Sequence, residues 1–475
     1  MSEADRRARR KKKQQRQRLG LFLCVLVIAL LAIIFAAVFK GCSGKEKPVK
    51  PASSEPAAAQ QTTGAAVETA SSGKKTEPEP EPELPPEPTT AAISLRCAGD
   101  IMGHLSQIEG AYVKETDSYD FKPVFSLIKP YMQDCDICMA NIETTFKGSK
   151  PWQGYPGFNS PDELLYDIVD TGIKVALLSN NHMFDTRITG LMRGLEMFRE
   201  AGVMTAGAQK DGEENYTIIE INNVKLGIVA YTYETNMYNG LHTVNGIAIP
   251  ADDYDNMNGF GYQNYDADLA KIKATIDSCK AAGAQVIVAY MHWGEEYQKD
   301  PNRWQKYMAQ KMANAGADVI FASHPHVIQA IEELRVNLPD GSAKNVPVFY
   351  SMGNFISNQR TESLSGDFGT AIAAKTEQGM IACVGLRVCV NDGRHEITEV
   401  SFIPTWVDRY SKGSTYEYGI IPLTKGFESN PMLMTSGHVS RAQAALKSMT
   451  DLIGEKYVNT EAFDGNTARF PKDHR

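Results

Sequence analysis

The amino-acid sequence predicts an α/β fold built on buried, largely parallel strands. Three observations predict it. Amphipathic helical segments alternate with short apolar runs, a glycine separates each helix from the run that follows, and each run ends in a polar cluster. Apolar runs joined by helices mean strands covered on both faces. In open α/β sheets, functional groups gather beyond the carboxyl ends of the strands.

The elements follow in order. The run Ile93-Ser-Leu-Arg-Cys-Ala ends at Gly99-Asp100, and the run from Cys135 to Met139 leads into Asn141-Ile-Glu143. Ser160-Pro161-Asp162-Glu163 reads as a helix start, with Ser160 as N-cap, Pro161 in the first turn and Glu163 closing a capping box. That helix is expected to end near Gly172, a natural left-handed cap. Lys174-Val-Ala-Leu-Leu then runs into Ser179-Asn-Asn-His182. A helix over 267–282 meets Gly283, then Gln285-Val-Ile-Val-Ala-Tyr, then His292-Trp-Gly-Glu-Glu. A helix over 303–315 meets Gly316, then Asp318-Val-Ile-Phe-Ala, then Ser323-His-Pro-His326. Val346-Pro-Val-Phe-Tyr runs into Ser351-Met-Gly-Asn-Phe355. Runs at 216–231 and 381–402, with turns at Asn222-Asn223 and Asn391-Asp-Gly393, predict further mixed or antiparallel strands. A last helix over 440–457 is expected on the outside. The folded domain is thus read as 93–458, with a polar tail at 459–475.

Three segments precede that domain. Residues 1–18 are a basic head with nine Lys or Arg against Glu3 and Asp5. Residues 19–39 are uncharged and apolar, and 21 residues suffice to cross a hydrocarbon core of about 30 Å as a helix. The run is longer than a signal-peptide core, and Phe39-Lys40-Gly41 before Cys42 fits a lipoprotein cleavage site poorly. An uncleaved, single-pass anchor in the lipid bilayer is expected, with the head cytoplasmic and the rest extracellular. Residues 40–92 read as a disordered tether: 43–92 hold nine prolines and no aromatic residue, so they cannot bury enough apolar surface to order. Fully extended, the tether reaches ~150 Å, which suits a domain held off a membrane within a cell wall.

The chain's net charge is −8, and removing the head's +7 leaves −15 for the remainder. No electrostatic footprint for nucleic acid follows, and no nucleic-acid partner is expected. Six cysteines lie in the domain. Cys135-x-x-Cys138 has redox spacing but no second such pair for zinc, and reads as buried small hydrophobes or a lone disulfide. Cys383 and Cys389 share a strand face.

Five of the nine histidines, His104, His182, His292, His324 and His326, fall in the polar clusters. Two-metal hydrolases need imidazole nitrogens and carboxylate oxygens converging from several strand ends. His324 and His326, two apart at a strand end, place two imidazoles on one side. Glu143 can bridge two cations and Asp100 can supply another carboxylate. His242, His395, His438 and His474 lie outside the clusters and receive no role.

The motifs Gly99-Asp-Ile-Met-Gly-His104, Asn141-Ile-Glu143, Ser179-Asn-Asn-His-Met-Phe-Asp185, His292-Trp-Gly-Glu-Glu-Tyr297, Ser323-His-Pro-His-Val-Ile-Gln329 and Tyr350-Ser-Met-Gly-Asn-Phe355 resemble, in order, those of the CapA family of capsule and poly-γ-glutamate synthesis proteins. That family in turn resembles the calcineurin-like metallophosphoesterases. The resemblance implies a four-layer α/β/β/α metallophosphoesterase-like sandwich, here preceded by one transmembrane helix and a disordered linker. It implies divalent ions, two in number and of manganese, iron or zinc, held by Asp100, Glu143, Asn181, His292, His324 and His326. It implies His182 as general acid with Asp185 orienting its ring. Trp293, Tyr297 and Asn354 are expected to line the substrate site. Two departures stand out: Met102 occupies the place of the superfamily's first histidine, for which His104 is the expected substitute, and Asn-x-Glu replaces Gly-Asp-x-x-Asp. One-metal or metal-free forms of the site therefore stay open.

Three functions are compatible with these features. The first is a component of capsule or poly-γ-glutamate production, working with polymer synthase subunits in the membrane. The second is an independent extracellular phosphoesterase, and the third a non-catalytic polymer- or partner-binding subunit.

Overall fold

The apolar runs divide between two sheets, each parallel in one part and antiparallel in another. The computed structural model describes residues 89–339 and 341–463. The expected head and membrane span, nearly all of the tether, and the tail beyond 463 lie outside the described residues. Among the described residues no helix is long and apolar enough to cross a membrane.

In the first sheet, Thr90–Ile101, Ile137–Ile142, Val175–Leu177 and Met204–Ala206 run parallel. Gln378–Cys389, His395–Lys412 and Thr415–Pro422 extend it antiparallel from the other side of Thr90–Ile101. The short strand Asn354–Ile356 pairs in parallel with the end of Thr90–Ile101. In the second sheet, Gly259–Phe260, Val224–Tyr233, Val286–His292, Val319–Ser323 and Ala343–Phe349 run parallel. Ile331–Asn337 and Thr217–Ile221 add antiparallel strands. The predicted hairpin turn is present, with Asn222 and Asn223 at φ 51° and 63°, the left-handed pair that a two-residue turn requires.

Alternation along the strands makes the layers. Leu95, Cys97, Ile137 and Met139 of the first sheet share a core with Leu226, Ile228, Val286 and Val288 of the second. Their sequence neighbours point outward. Cys138, Ala140 and Ala176 pack under Leu165, Ile168 and Leu195 of the helices Asp162–Asp170 and Arg187–Glu200. Ile287, Ala289 and Ile320 pack under Ile272, Ile276, Met308 and Met312 of the helices Tyr265–Ala281 and Arg303–Ala315. The order is helix, sheet, sheet, helix.

Local chemistry sets the helix ends. Asn302 accepts from the backbone N–H of Gln305 at 3.0 Å, and the Gln305 side chain closes the box by accepting from Asn302 N at 2.9 Å. Gly316 ends the same helix at φ 108°. The expected Ser160 cap is corrected: Pro161 holds the N-cap position, and Ser160 Oγ instead hydrogen-bonds Thr144 Oγ1 at 2.8 Å. Glu163 accepts from Tyr119 N at 3.3 Å rather than closing a box. The last helix, Val439–Ile453, keeps one face exposed, with Gln443, Lys447 and Asp451 in solvent. Its Ala442, Ala445 and Met449 cover Phe402 and Trp406 on the inner face of the antiparallel extension, continuing the inter-sheet core. Cys135 and Cys138 are free thiols; Cys138 is buried beside Met132, while Cys135 is half-buried with its thiol donating to Met132 O.

The strand amino ends, opposite the polar clusters, carry an ionic clip between the sheets. Buried Asp318, before Val319–Ser323, accepts from Ile287 N at 2.8 Å, bonds Lys344, and lies 3.1 Å from His395 Nε2 at the start of the first sheet's strand His395–Lys412. Burial pushes the Asp318 carboxyl up, but His395 and Lys344 more than reverse this and hold it below its ordinary value. Burial pushes His395 down, and Asp318 reverses that, leaving it raised. The lowered carboxyl contributes stability that is lost as pH falls through its folded-state pKa. The raised imidazole contributes stability that is lost as pH rises through its own. Urea unfolding across pH should therefore show a plateau between the two titrations. Asp318→Asn should flatten it and lower stability by about 3 kcal/mol, the scale of breaking a buried ion pair. A variant as stable as the wild type across pH would remove the clip from the account.

Candidate metal centre

The carboxyl ends of the parallel strands from both sheets meet at one seam. Asp100 lies at the end of Thr90–Ile101, Asn141 and Glu143 at the end of Ile137–Ile142, and Asn180, Asn181 and His182 follow Val175–Leu177. His292 closes Val286–His292, and His324 and His326 follow Val319–Ser323. The chain then crosses from the second sheet to the first. Met352 N donates to Ala322 O at 2.9 Å, Asp100 N donates to Gly353 O at 3.0 Å, and Asp100 comes into register with Asn354. This crossing requires glycines. A Cβ on Gly99 would stand 2.0 Å from Gly353 O; one on Gly353, at φ 68°, would stand 2.6 Å from Gln378 O.

The donors converge on Glu143. Its Oε1 lies 3.6 Å from His292 Nε2 and 3.8 Å from His326 Nε2. Asp100, Glu143 and His326 each present one ligand atom within 4.8 Å of the others. His326 Nδ1 is 3.1 Å from both Asp100 Oδ2 and Asn354 Oδ1, so its N–H is directed at oxygens and Nε2 is the nitrogen left for a ligand. His292 Nε2 stands 2.7 Å from Asn181 Oδ1. The His324 ring centroid is 4.9 Å from that of His292 and 5.9 Å from that of His326. Its Nδ1 and Glu143 Oε1 are both buried without a hydrogen-bond partner. His324, His326 and Tyr297 hold φ of 104°, 57° and 65°, a left-handed backbone that costs on the order of 1–3 kcal/mol each and clusters at functional sites.

The electrostatics fit a cation. Asp100 and Glu143 are both fully buried. Burial pushes Asp100 up, yet the hydrogen bond and charge of His326 bring it below its ordinary value. Burial and the neighbouring Asp100 charge push Glu143 well up. Two carboxylates this close do not both ionise without a compensating positive charge. Burial lowers His292 to about 3 and pushes His324 well below its ordinary value, so these imidazoles are neutral, the form that binds metal. Unpartnered acceptors, neutral imidazoles and a carboxylate between two donor groups are what a divalent ion of the borderline class takes.

Beside the seam stands a histidine–aspartate pair. His182 Nδ1–H donates to Asp185 Oδ2 at 2.7 Å, and that oxygen also accepts from Phe158 N at 2.6 Å. Asn180 braces the loop: its Oδ1 accepts from His182 N at 3.1 Å and its Nδ2 donates to Ile142 O at 2.8 Å. Asn141 Nδ2 donates to Asp100 Oδ1 at 2.7 Å and lies 3.4 Å from Glu143 Oε2.

Three sequence expectations are corrected here. His104 is not among the converging donors. Its Nε2 bonds Ser357 Oγ at 3.1 Å, its ring abuts Phe158 edge-on, and burial lowers it to about 3. Trp293 does not line a cleft. It is fully buried in the outer-helix core and donates its indole N–H to Tyr350 O at 3.1 Å, because strand alternation sends it away from His292. Asn354 is also fully buried; its Nδ2 donates to Gln359 and Thr376 while Oδ1 faces His326, so it positions an imidazole rather than a substrate. Tyr297 does lie at the rim, 6.2 Å from His326 by ring centroids. Asn141, Asn180 and Phe158 had no assigned role from sequence. The two asparagines lay inside quoted motifs, whereas no local signal marks Phe158.

Fold and site define a class: an α/β/β/α protein with a buried histidine, amide and carboxylate set at the seam of its sheets. The profile of the family described as "Bacterial capsule synthesis protein PGA_cap" matches residues 94–359, and the chain belongs to that family. It is 27% identical over 275 residues to "Capsule biosynthesis protein CapA" of Bacillus anthracis, covering 56% of this chain and 60% of that protein. It is 26% identical over 274 residues to "PGA biosynthesis protein CapA" of Bacillus subtilis (strain 168), covering 56% and 64%. The chain thus spans less than two thirds of the length of the curated relatives it matches. Among solved structures it is similar to a Mycoplasma pneumoniae phosphatase, at 13% identity and a TM-score of 0.38 over 66% of this chain and 94% of that one. It is also similar to the protein TT1561 of Thermus thermophilus, at 7% identity and a TM-score of 0.29 over 65% and 99%.

The Gly99–Gly353 approach sets a testable requirement. Gly99→Ala forces backbone apart at the crossing and should cost about 1–3 kcal/mol in urea unfolding, the range for overpacking. Unchanged stability would show that the crossing tolerates a Cβ.

Proposed function

We propose that this domain is a metal-dependent phosphoester-processing centre on a membrane-anchored protein that serves the production of an extracellular capsule or poly-γ-glutamate polymer. The observation that carries the chemical part is the buried, unpartnered Glu143 Oε1 set between His292 and His326, beside a histidine–aspartate pair. Asp100, Glu143 and His326 would hold a divalent ion, with Asn181, His292 and His324 as the further donors beside them. Bound divalent cations supply Lewis-acid polarisation of a phosphoryl group and acidify water.

The chain's own residues do the rest. Asp185 accepts a hydrogen bond from His182 Nδ1–H and leaves Nε2 as the nitrogen that gives a proton to the departing oxygen. Phe158, whose ring centroid is 4.6 Å from that of His182 at 85°, fixes the imidazole plane and excludes water from its face. Asn141 and Asn354 hold Asp100 and His326 in place. The polymer assignment is supported by family membership and the capsule-related names of the two Bacillus relatives. The anchored, extracellular location is supported by the basic head and the apolar stretch at 19–39.

Elemental analysis of the purified full-length chain tests the centre. The wild type should hold stoichiometric divalent metal, and His324→Ala/His326→Ala should lose it; equal metal in both proteins would refute the centre. His182→Gln should keep the metal and lower turnover of an aryl phosphate by ~10²–10⁴-fold. In the native host, deletion should reduce surface polymer. An unaltered surface would remove the polymer from the proposal while leaving the metal chemistry standing.

A further inference from the structure

Two exposed aromatic side chains, Tyr155 and Phe368, lie near the half-buried Tyr297 at the rim of the metal centre. Tyr155 is 71% exposed at the tip of a loop tied down on both sides. Gln153 and Asn159 exchange backbone hydrogen bonds of 2.9 and 3.0 Å, and Asn159 Nδ2 donates to Ser149 O and Pro151 O. The loop packs closely on the segment that follows Asp100, since a Cβ on Gly154 would come within 2.6 Å of Leu105 N and 3.1 Å of His104 Cα. Phe368, 47% exposed, ends the helix Thr361–Phe368, which buries none of its residues. Its ring lies 4.3 Å from that of Tyr297, which in turn flanks His326. Tyr155 lies within electrostatic reach of the Tyr297 hydroxyl. A helix with no buried residue thus sets Phe368 against the tyrosine beside the metal donors, and an exposed loop brings Tyr155 near the same tyrosine.

The charge at this rim is specific. Glu295 and Glu296, both exposed, immediately precede Tyr297 in sequence, and Glu296 interacts with the Tyr297 hydroxyl. The neighbouring cation, Lys299, pairs with Asp300 at 3.8 Å. Acidic side chains beside aromatic faces disfavour an anionic group outside the phosphoryl position, while the ring faces favour a flat or apolar one.

We infer that Tyr155, Tyr297 and Phe368 form a subsite for the leaving group, and that the substrate is a phosphoester whose alcohol portion carries an uncharged ring. This rests on the phosphoester reading above and specifies its substrate class. Stacking against two or three rings distinguishes a ring-bearing ester from an alkyl ester of equal charge. The phosphoryl group is the shared element, and its binding depends on the metal donors alone.

Calorimetric titration of the metal-loaded full-length chain with phenylphosphonate and methylphosphonate tests the subsite without turnover. The wild type should bind phenylphosphonate about tenfold more tightly, a preference on the scale of aromatic contact plus ring burial. Tyr155→Ala/Phe368→Ala should bring the two affinities together by weakening phenylphosphonate alone, with metal content unchanged by elemental analysis. A para-carboxylate on the ring should weaken binding to the wild type. Equal affinities in the wild type, or a preference that survives the double substitution, would overturn the subsite while leaving the phosphoester reading intact. Metal-loaded protein that binds neither phosphonate would overturn both.

Discussion

Two carboxylates buried side by side dictate much of the architecture around them. Asp100 and Glu143 are fully inaccessible, and removing a carboxylate from water costs several kcal/mol unless partners replace the lost hydration. The chain supplies those partners unequally. Asp100 has an amide donor and an imidazole donor, and stays ionised. Glu143 keeps one oxygen unbonded and is driven toward its protonated form. An arrangement that leaves one acid unsatisfied makes little sense as a stability device, because an apolar pair of the same volume would cost less. It makes sense as a site that a cation completes.

Location at a seam turns that local problem into a global one. The ligand atoms come from both sheets, so their spacing is the spacing of the sheets. The Tyr350–Gly353 crossing fixes that spacing at the site end through Gly99 and Gly353, and the Asp318–His395–Lys344 clip ties the opposite end. Between the two lies an apolar core with residues from both inner faces. A shear of the sheets would separate Asp100 from His326 and Glu143 from His292 together. The strained left-handed backbone at His324 and His326 is held by the same framework.

Much of this was legible in the chain because strand-to-polar transitions are local signals. Gly-Asp, Asn-x-Glu, Asn-Asn-His and His-Pro-His each follow an apolar run, and each falls at a carboxyl end in the seam. Helix ends with strong local chemistry, such as Asn302 with Gln305 and Gly316, were legible for the same reason. What was not legible depends on contacts between distant segments. Trp293 follows a site histidine, yet strand alternation sends it to the opposite face. Ser160 has the side chain of a cap, but Thr144, from another segment, takes its hydroxyl. Phe158 reaches His104 and His182 only because its loop folds back over the site. The choice of His395–Lys412 as the strand that Val439–Ile453 packs on is a long-range contact, which no local pattern encodes.

The four asparagines of the centre show how the chain limits charge there. Asn141, Asn180, Asn181 and Asn354 are all buried, and each meets a backbone group, an imidazole or a carboxylate. An amide offers donors and an acceptor at once and brings no charge. Asn141 donates to Asp100 and approaches Glu143, a task no carboxylate could perform beside two others. Asn354 accepts from His326 through its oxygen while its nitrogen anchors to Gln359 and Thr376, which fixes the amide orientation and so the imidazole's free nitrogen. Acids in these places would raise the negative charge of a buried cluster without adding donors, and would drive protons onto the groups meant to hold metal. Neutral amides therefore do the positioning, and the charge is confined to Asp100, Glu143 and Asp185, where a cation or an imidazolium can answer it.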